Sequence, residues 1–426
     1  MDKIRVILPK RYNLVKGDTF QLFYRGVVEA PNPFCYDILS ICEEGKNFPR
    51  YFEYTPTEVG SHKLTVCVYD ADKNLLGKGE TVLEVKEPES SEKPVNILCI
   101  GDSLTAHGQW VAESCRRLTS QGGSPSGDGL LNINFIGGCE KDGAGYEAFG
   151  GWTWRSFSST SFDGMWVINM GHNKTDKDQH SIWADEDGNL WQMETIIPDM
   201  IKFMRYGKHR AAMKKGTHLI HHSNAENKEN VLIQDAFPET VSPFLDKETK
   251  TIDFRKYCDN HGYDGIDVVY ILLGINGLNS AKGTLREFCE NIVNDGKKLV
   301  DIIHRDYKNA KIMVSGLFVP SVTGGMGANY GAKLFYGDRY GITRFIFDLN
   351  LAYEKWVNED GYKDFMEFIN LSGQFDTDYV MPCEEKTVNV RSKKTELIGT
   401  NGVHPSDEGY MQIADAMYRN MVHAIK

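Results

Sequence analysis

From residue 95 onward, short continuous apolar runs alternate with longer stretches of helical period, and that alternation admits few folds. The runs fall at 95–100, 132–136, 267–273, 311–317 and 365–371. The helical stretches fall at 104–118, 285–304, 342–358 and 408–425, the last with Tyr410, Ile413, Ala414, Met417 and Met421 on one stripe. A strand that is apolar at every position has no face to turn toward water, so both faces must be covered. Strands joined through helices, with both faces covered, predict a parallel, doubly wound sheet in a three-layer α/β/α domain.

The first 86 residues follow another rule. Phe20, Leu22 and Tyr24 alternate with Gln21 and Phe23, and Leu64, Val66 and Val68 alternate with Thr65 and Cys67. Turn signals such as Lys16-Gly17-Asp18 separate these period-two runs, which predict a small all-β sandwich over 1–86. Residues 87–94, within "KEPESSEKP", lack large apolar side chains and read as a linker. The α/β domain then occupies 95–426, and its rhythm breaks at about 162–244. There Asp187-Gly188, flanked by Trp183 and Trp191, is a hairpin signal, and the segment reads as a β-rich insertion.

The net charge of -11 argues against nucleic acid or an anionic membrane as the main partner, since phosphate binding needs clustered Lys and Arg. Nine cysteines at scattered positions give no zinc spacing and read as reduced, buried thiols. The first residues lack a signal-peptide apolar region, and no run is long enough to span a bilayer. A reducing, cytoplasmic setting is the expectation, although a chain trimmed of its leader would look the same.

The first apolar run ends in Gly101-Asp102-Ser103-Leu104. Ligands of open α/β sheets bind beyond the carboxyl ends of strands, where a serine at a helix start can offer both a hydroxyl and a backbone N–H. Capping of that helix is the plainer use of such a serine. Three further blocks follow: "YEAFGGWTW" at 146–154, "YILLGING" at 270–277 and "GTNGVHPSDEGY" at 399–410. In this order and spacing the four blocks resemble the GDSL, or SGNH, hydrolases from residue 95 to the end, the insertion excepted. The stretch "YTPTEVGSHKLTVCVYD" likewise resembles strands of immunoglobulin-like modules, with no functional implication.

The resemblance to SGNH hydrolases implies a flavodoxin-like parallel sheet and serine-esterase chemistry without cofactor or metal. Ser103 would be the nucleophile and His404 the general base. The Ser103 N–H, the Gly151 N–H and the Asn276 amide would form the oxyanion hole. The chemistry asks for these types in its own right, because a serine hydroxyl needs a base and a tetrahedral oxyanion needs fixed donors. Asp102 would hold the turn by hydrogen bonds.

One departure matters. The family's last block usually carries an acid three residues before the histidine, and here that position is Asn401. In serine-protease triads the change from acid to amide costs about 10⁴ in kcat. Three explanations stand open: a weak or dead enzyme, a Ser–His dyad with an Asn401 oxygen or a backbone carbonyl accepting from Nδ1, or a displaced acid. Asp376, Asp378, Asp407 and Glu408 are the candidates for that acid. The dyad or the displaced acid is favoured because the other four site residues are present. Gly277, where the family commonly has an acid, bears only on loop geometry.

Other features read more plainly. His218 and His222 in "THLIHH" would lie ~13 Å apart along a strand, too far for one metal. Trp152, Trp154, Trp166, Trp183 and Trp191 fit either core packing or a platform for sugar rings. The glycine-rich 316–341 stretch lacks the ending of a phosphate-binding loop and reads as a mobile active-site loop. The expected activity is ester hydrolysis through an acyl-enzyme, by a carbohydrate O-acetylesterase acting on a small-molecule or oligosaccharide ester. The alternatives are a lipase or thioesterase, and a catalytically weakened glycan-binding protein. Oligomeric state is not legible.

Overall fold

The computed structural model describes residues 3–160, 242–246, 248–276, 283–320 and 339–425, together with the backbone of strands between 167 and 232. Two compact units result: Met1–Trp154 with Cys258–Lys426, and Arg155–Tyr257.

The main sheet of the first unit runs in the order Cys139–Lys141, Ala144–Ala148, Val95–Gly101, Val268–Leu272, Lys311–Ser315, Met366–Ile369, and Ile133–Ile136 also pairs with Val95–Gly101. Every pairing is parallel except that between Cys139–Lys141 and Ala144–Ala148. Ile97, Leu98, Cys99 and Ile100 are each 0% exposed, which shows the central strand covered on both faces. Helix Gln109–Thr119 packs on Asp407–Ala424, and Leu285–Asp306 packs on Arg339–Val357. The Gln109–Thr119 crossover leads toward one edge of the sheet and the Leu285–Asp306 crossover toward the other. Right-handed connections therefore put the two helix pairs on opposite faces.

One predicted helix divides. Ser103–Ala106 and Gln109–Thr119 are separate, because Gly108 takes φ 67, a left-handed conformation that suits glycine. A Cβ there would also lie 2.5 Å from the Lys141 Cβ.

Three sheets form the N-terminal part, one of them the short Arg5–Val6 and Val28–Glu29 pair; the other two are larger. Arg11–Val15, Leu75–Lys86, Gly60–Tyr69 and Asp37–Ile41 make one, and Phe20–Phe23, Tyr51–Tyr54 and Lys46–Asn47 the other. Tyr12, Leu14 and Val66 of the first share an apolar cluster with Phe20, Leu22 and Phe52 of the second. These strands and the α/β portion fall in the same compact unit, and specific bonds join them. Asp18 accepts from Arg117 at 2.7 Å and from Arg419 at 2.6 Å. The 87–94 segment is docked as well: Ser91 is buried, and its carbonyl accepts from the Asn132 side chain at 2.8 Å.

The second unit holds a six-stranded antiparallel sheet in the order Val167–Ile168, Met200–Arg205, Leu190–Ile197, Ile182–Ala184, His218–His221, Asn230–Leu232. Trp183 stands opposite Trp191 across the expected hairpin. Asp187-Gly188, Trp166 and His222 lie outside the described residues, as do Gly277 and most of the glycine-rich 316–341 stretch.

Candidate active site

Parallel strands bring their carboxyl ends to one edge of a sheet, and three site segments start there. Gly101 leads into Asp102 and Ser103, Ala148 into the Phe149–Trp152 turn, and Leu272 into Asn276. His404 arrives from elsewhere, on the loop before the last helix. Its Nε2 lies 2.8 Å from the Ser103 Oγ. The two residues are 301 positions apart in the chain.

Asp102 caps the short Ser103–Ala106 helix, accepting from the Leu104 N–H at 3.0 Å. Its other oxygen accepts from the Asn276 Nδ2 at 2.9 Å. The same Nδ2 donates to the Trp152 carbonyl at 3.0 Å. Both hydrogens of the Asn276 amide are therefore in use, one on each of its neighbours. Gly151 takes φ 76 within a turn closed by the Trp152 N–H on the Phe149 carbonyl, and this conformation favours glycine. Asn276 thus ties the Gly151 turn to the Ser103 helix. Burial pushes the Asp102 carboxyl up to about 7, against the bonds from Leu104 and Asn276.

Asn401 is held differently from the expectation. Its Oδ1 accepts from the backbone N–H groups of Val403 and His404, each at 2.9 Å. This is an Asx turn, and it commits the oxygen. The amide nitrogen is left facing the His404 Nδ1 at 3.4 Å. An Asn401 oxygen accepting from Nδ1 is therefore not what the structure shows. Turning the amide over would set its NH₂ against two backbone donors.

None of the four candidate acids hydrogen-bonds His404. Asp376 takes a bidentate pair from Arg50 at 2.8 and 3.0 Å, and Asp378 accepts from Arg25 at 2.8 Å. Asp407 accepts from Gln109 at 2.8 Å and Glu408 from the Ser406 hydroxyl at 2.6 Å. Each has been claimed by a donor that the sequence pattern did not reveal.

His404 is pushed down to about 4, first by burial and then by the charge of His107. Sequence reasoning passed over His107. It lies four residues after Ser103, a spacing that puts both on one side of a helical turn. It is itself lowered by burial, against the pull of Asp407.

A small cavity is lined by Leu104, Ile275, Leu317, Phe318, Pro320 and Val403. Of these, Leu104, Ile275 and Val403 are the chain neighbours of Ser103, Asn276 and His404. Its volume of about 10 Å³ is on the scale of one water or methyl group. Trp152 and Trp154 belong to the core rather than to a sugar platform. Trp152 is buried against Phe149 with ring centres 4.3 Å apart. Trp154 is 1% exposed, with its Nε1 donating to the Tyr353 hydroxyl at 2.7 Å. Among the described residues no cluster of three or more His, Cys, Asp or Glu could hold a metal ion, and no helix is long and apolar enough to cross a membrane. All nine cysteines are free thiols, but only Cys67, Cys99, Cys258 and Cys289 are buried as expected, while Cys35 and Cys383 are exposed.

No protein-family profile matches the chain, and no curated protein does. Several solved structures with a similar course are esterases by name. A carbohydrate esterase family 3 protein from Talaromyces cellulolyticus is 12% identical, with 78% of this chain and 98% of that chain covered, at a TM-score of 0.36. Est24, a carbohydrate acetylesterase from Sinorhizobium meliloti, is 13% identical over 77% and 99%, at 0.33. A carbohydrate esterase family 2 enzyme with a carbohydrate binding domain, from Corynascus thermopiles (Myceliophthora fergusii), is 11% identical over 99% of both, at 0.30. At such scores the ground for a functional reading is the geometry of the site itself.

Proposed function

We propose that this chain is a serine esterase of the SGNH type, acting on short acyl esters through an acyl-enzyme at Ser103. Its catalytic domain would be preceded by an immunoglobulin-like β-sandwich. The observation that carries the reading is the 2.8 Å contact between the Ser103 Oγ and the His404 Nε2. The hydroxyl attacks the ester carbonyl carbon while His404 takes its proton. The tetrahedral oxyanion is met by the N–H groups of Ser103 and Gly151 and by the Asn276 amide. For this Asn276 must release one of its two present acceptors. Collapse expels the alcohol with the proton from His404, and water then cleaves the acyl-enzyme by the same route. The small apolar cavity lined by Leu104 and Val403 supports a short acyl chain, since it has room for no more than about a methyl group. The alcohol is proposed to be a carbohydrate hydroxyl.

Asn401 makes this a slow enzyme. A nitrogen that already carries hydrogens faces Nδ1 at 3.4 Å, an arrangement that favours the tautomer with Nδ1 as acceptor and the proton on Nε2, against Ser103. Catalysis must use the other tautomer. That same observation favours a second reading, a glycan-binding protein on a hydrolase scaffold. A nitrophenyl acetate assay with fluorophosphonate labelling separates the two. The esterase shows a nitrophenol burst and covalent labelling, both lost in Ser103→Ala. Normal turnover by that variant, or no labelling of the native chain, rules out the nucleophile.

A further inference from the structure

We infer that Arg25 and Arg50, in the N-terminal β part, are positioning residues for His404, so that this part helps to build the active site. The inference rests on the proposed role of His404, and its structural arm stands without that role.

The loop after strand Met366–Ile369 carries Asp376 and Asp378, and both face arginines of the N-terminal part. The Arg50 fork grips Asp376 by two bonds, reaches Asp378 at 3.5 Å and lies over the Tyr379 ring at 4.3 Å. A bidentate fork fixes orientation as well as distance. The close fit continues beside it: a Cβ on Gly26 would lie 1.7 Å from the Ser372 carbonyl oxygen.

The clamped loop in turn holds the His404 segment at both ends. The Pro382 carbonyl accepts from the Thr400 N–H at 2.8 Å. The Val380 carbonyl accepts from the Ser406 N–H at 2.9 Å and from its hydroxyl at 3.1 Å. Val380 is itself fixed to Asp376, whose carbonyl accepts from its N–H at 3.1 Å. Gln412, on the helix after His404, accepts from the Asp376 N–H at 2.8 Å. His404 therefore hangs between two anchors on a loop whose acids are held from the N-terminal part. This explains why Asp376 and Asp378 are present without touching the histidine.

The test uses the full chain and two variants, Arg50→Ala and Arg11→Ala. Arg11 also reaches across to the α/β portion, pairing with Glu367, but on a strand rather than this loop. Amide hydrogen exchange is followed at Thr400 and Ser406, with strand Val95–Gly101 as the reference. Arg50→Ala should speed exchange at Thr400 and Ser406 by more than about tenfold while the strand is unchanged. Arg11→Ala should leave all three alone. With ester substrate, Arg50→Ala should lower kcat by about 10- to 100-fold with KM within about twofold, as misplacement of a base by an ångström can do. Unchanged exchange at Thr400 and Ser406, equal loosening of the strand, or selective loosening with kcat intact would each overturn the inference. A native chain that hydrolyses no ester refutes the esterase reading, and the exchange measurement still decides whether the arginines order the His404 segment.

Discussion

Asn401→Asp should convert a slow enzyme into a faster one. The Asx turn predicts where the new carboxylate goes: one oxygen keeps the N–H groups of Val403 and His404, and the second replaces the amide nitrogen near Nδ1. In the native chain, a proton on Nδ1 sets donor against donor and forfeits a hydrogen bond, at a cost of about 1–3 kcal/mol. The carboxylate removes that cost and adds a charge-assisted bond to the imidazolium that forms during attack, worth about 1.5–3 kcal/mol. The sum of about 2.5–6 kcal/mol corresponds to about 10²–10⁴ in kcat. The pH profile supplies a second reading. His404 must be neutral to accept a proton, and burial with the His107 charge holds it down to about 4. His404 itself should therefore impose no loss of activity on the native chain as pH falls from 8 until near 4, and any step near 7 belongs to Asp102, which accepts from Asn276. A carboxylate beside Nδ1 favours the charged form, so the acid limb of the variant should move upward. Nitrophenyl acetate turnover measures the rate, and ¹⁵N spectra of labelled histidine report the tautomer directly. The reasoning fails if Asn401→Asp is folded, melts where the native chain does and turns over no faster between pH 6 and 8. It fails equally if the native His404 already carries its proton on Nδ1.

Two further outcomes follow from the same structure. Val403→Ala widens the cavity that Leu104 and Val403 line, so the native preference for acetyl over butyryl esters should narrow by about tenfold, read as a ratio of kcat/KM values. Asp18→Ala leaves Arg419 without its acid and Arg117 with Asp415 alone, and should cost about 3–5 kcal/mol in urea unfolding at pH 7. Burial works to raise the Asp18 carboxyl, but Arg419 and Arg117 outweigh it and hold it below its usual range. That stabilisation is present above the ordinary carboxylate pKa and fades as pH falls through the lowered one. The gap between native chain and variant should therefore shrink toward pH 3.

What was legible in the sequence follows from how each geometry is set. Strand Val95–Gly101 and the turns after Gly101, Ala148 and Leu272 could be read because a parallel sheet carries successive carboxyl ends to one edge whatever the loops do. The break at Gly108 could not, since it turns on a left-handed residue and on the approach of Lys141 from another element. Asn401 falls between these cases. Its residue type was visible, and an Asn followed by two free backbone N–H groups is the local signature of an Asx turn. Weighing that turn first would have removed the oxygen as a partner for Nδ1. Asp376 and Asp378 show the opposite limit. Their sequence position after a strand end fitted a displaced acid, yet the Asp376 pair joins residues 326 positions apart. No local pattern could have assigned those carboxylates to arginines. A loop acid is available to a catalytic histidine only if nothing else in the fold has a stronger claim on it, and here a guanidinium fork has that claim. Among the described residues, that His404 has no acid for a partner is thus a consequence of contacts across the first unit, and placing one at position 401 requires no change to the Arg50–Asp376 pair that holds the loop.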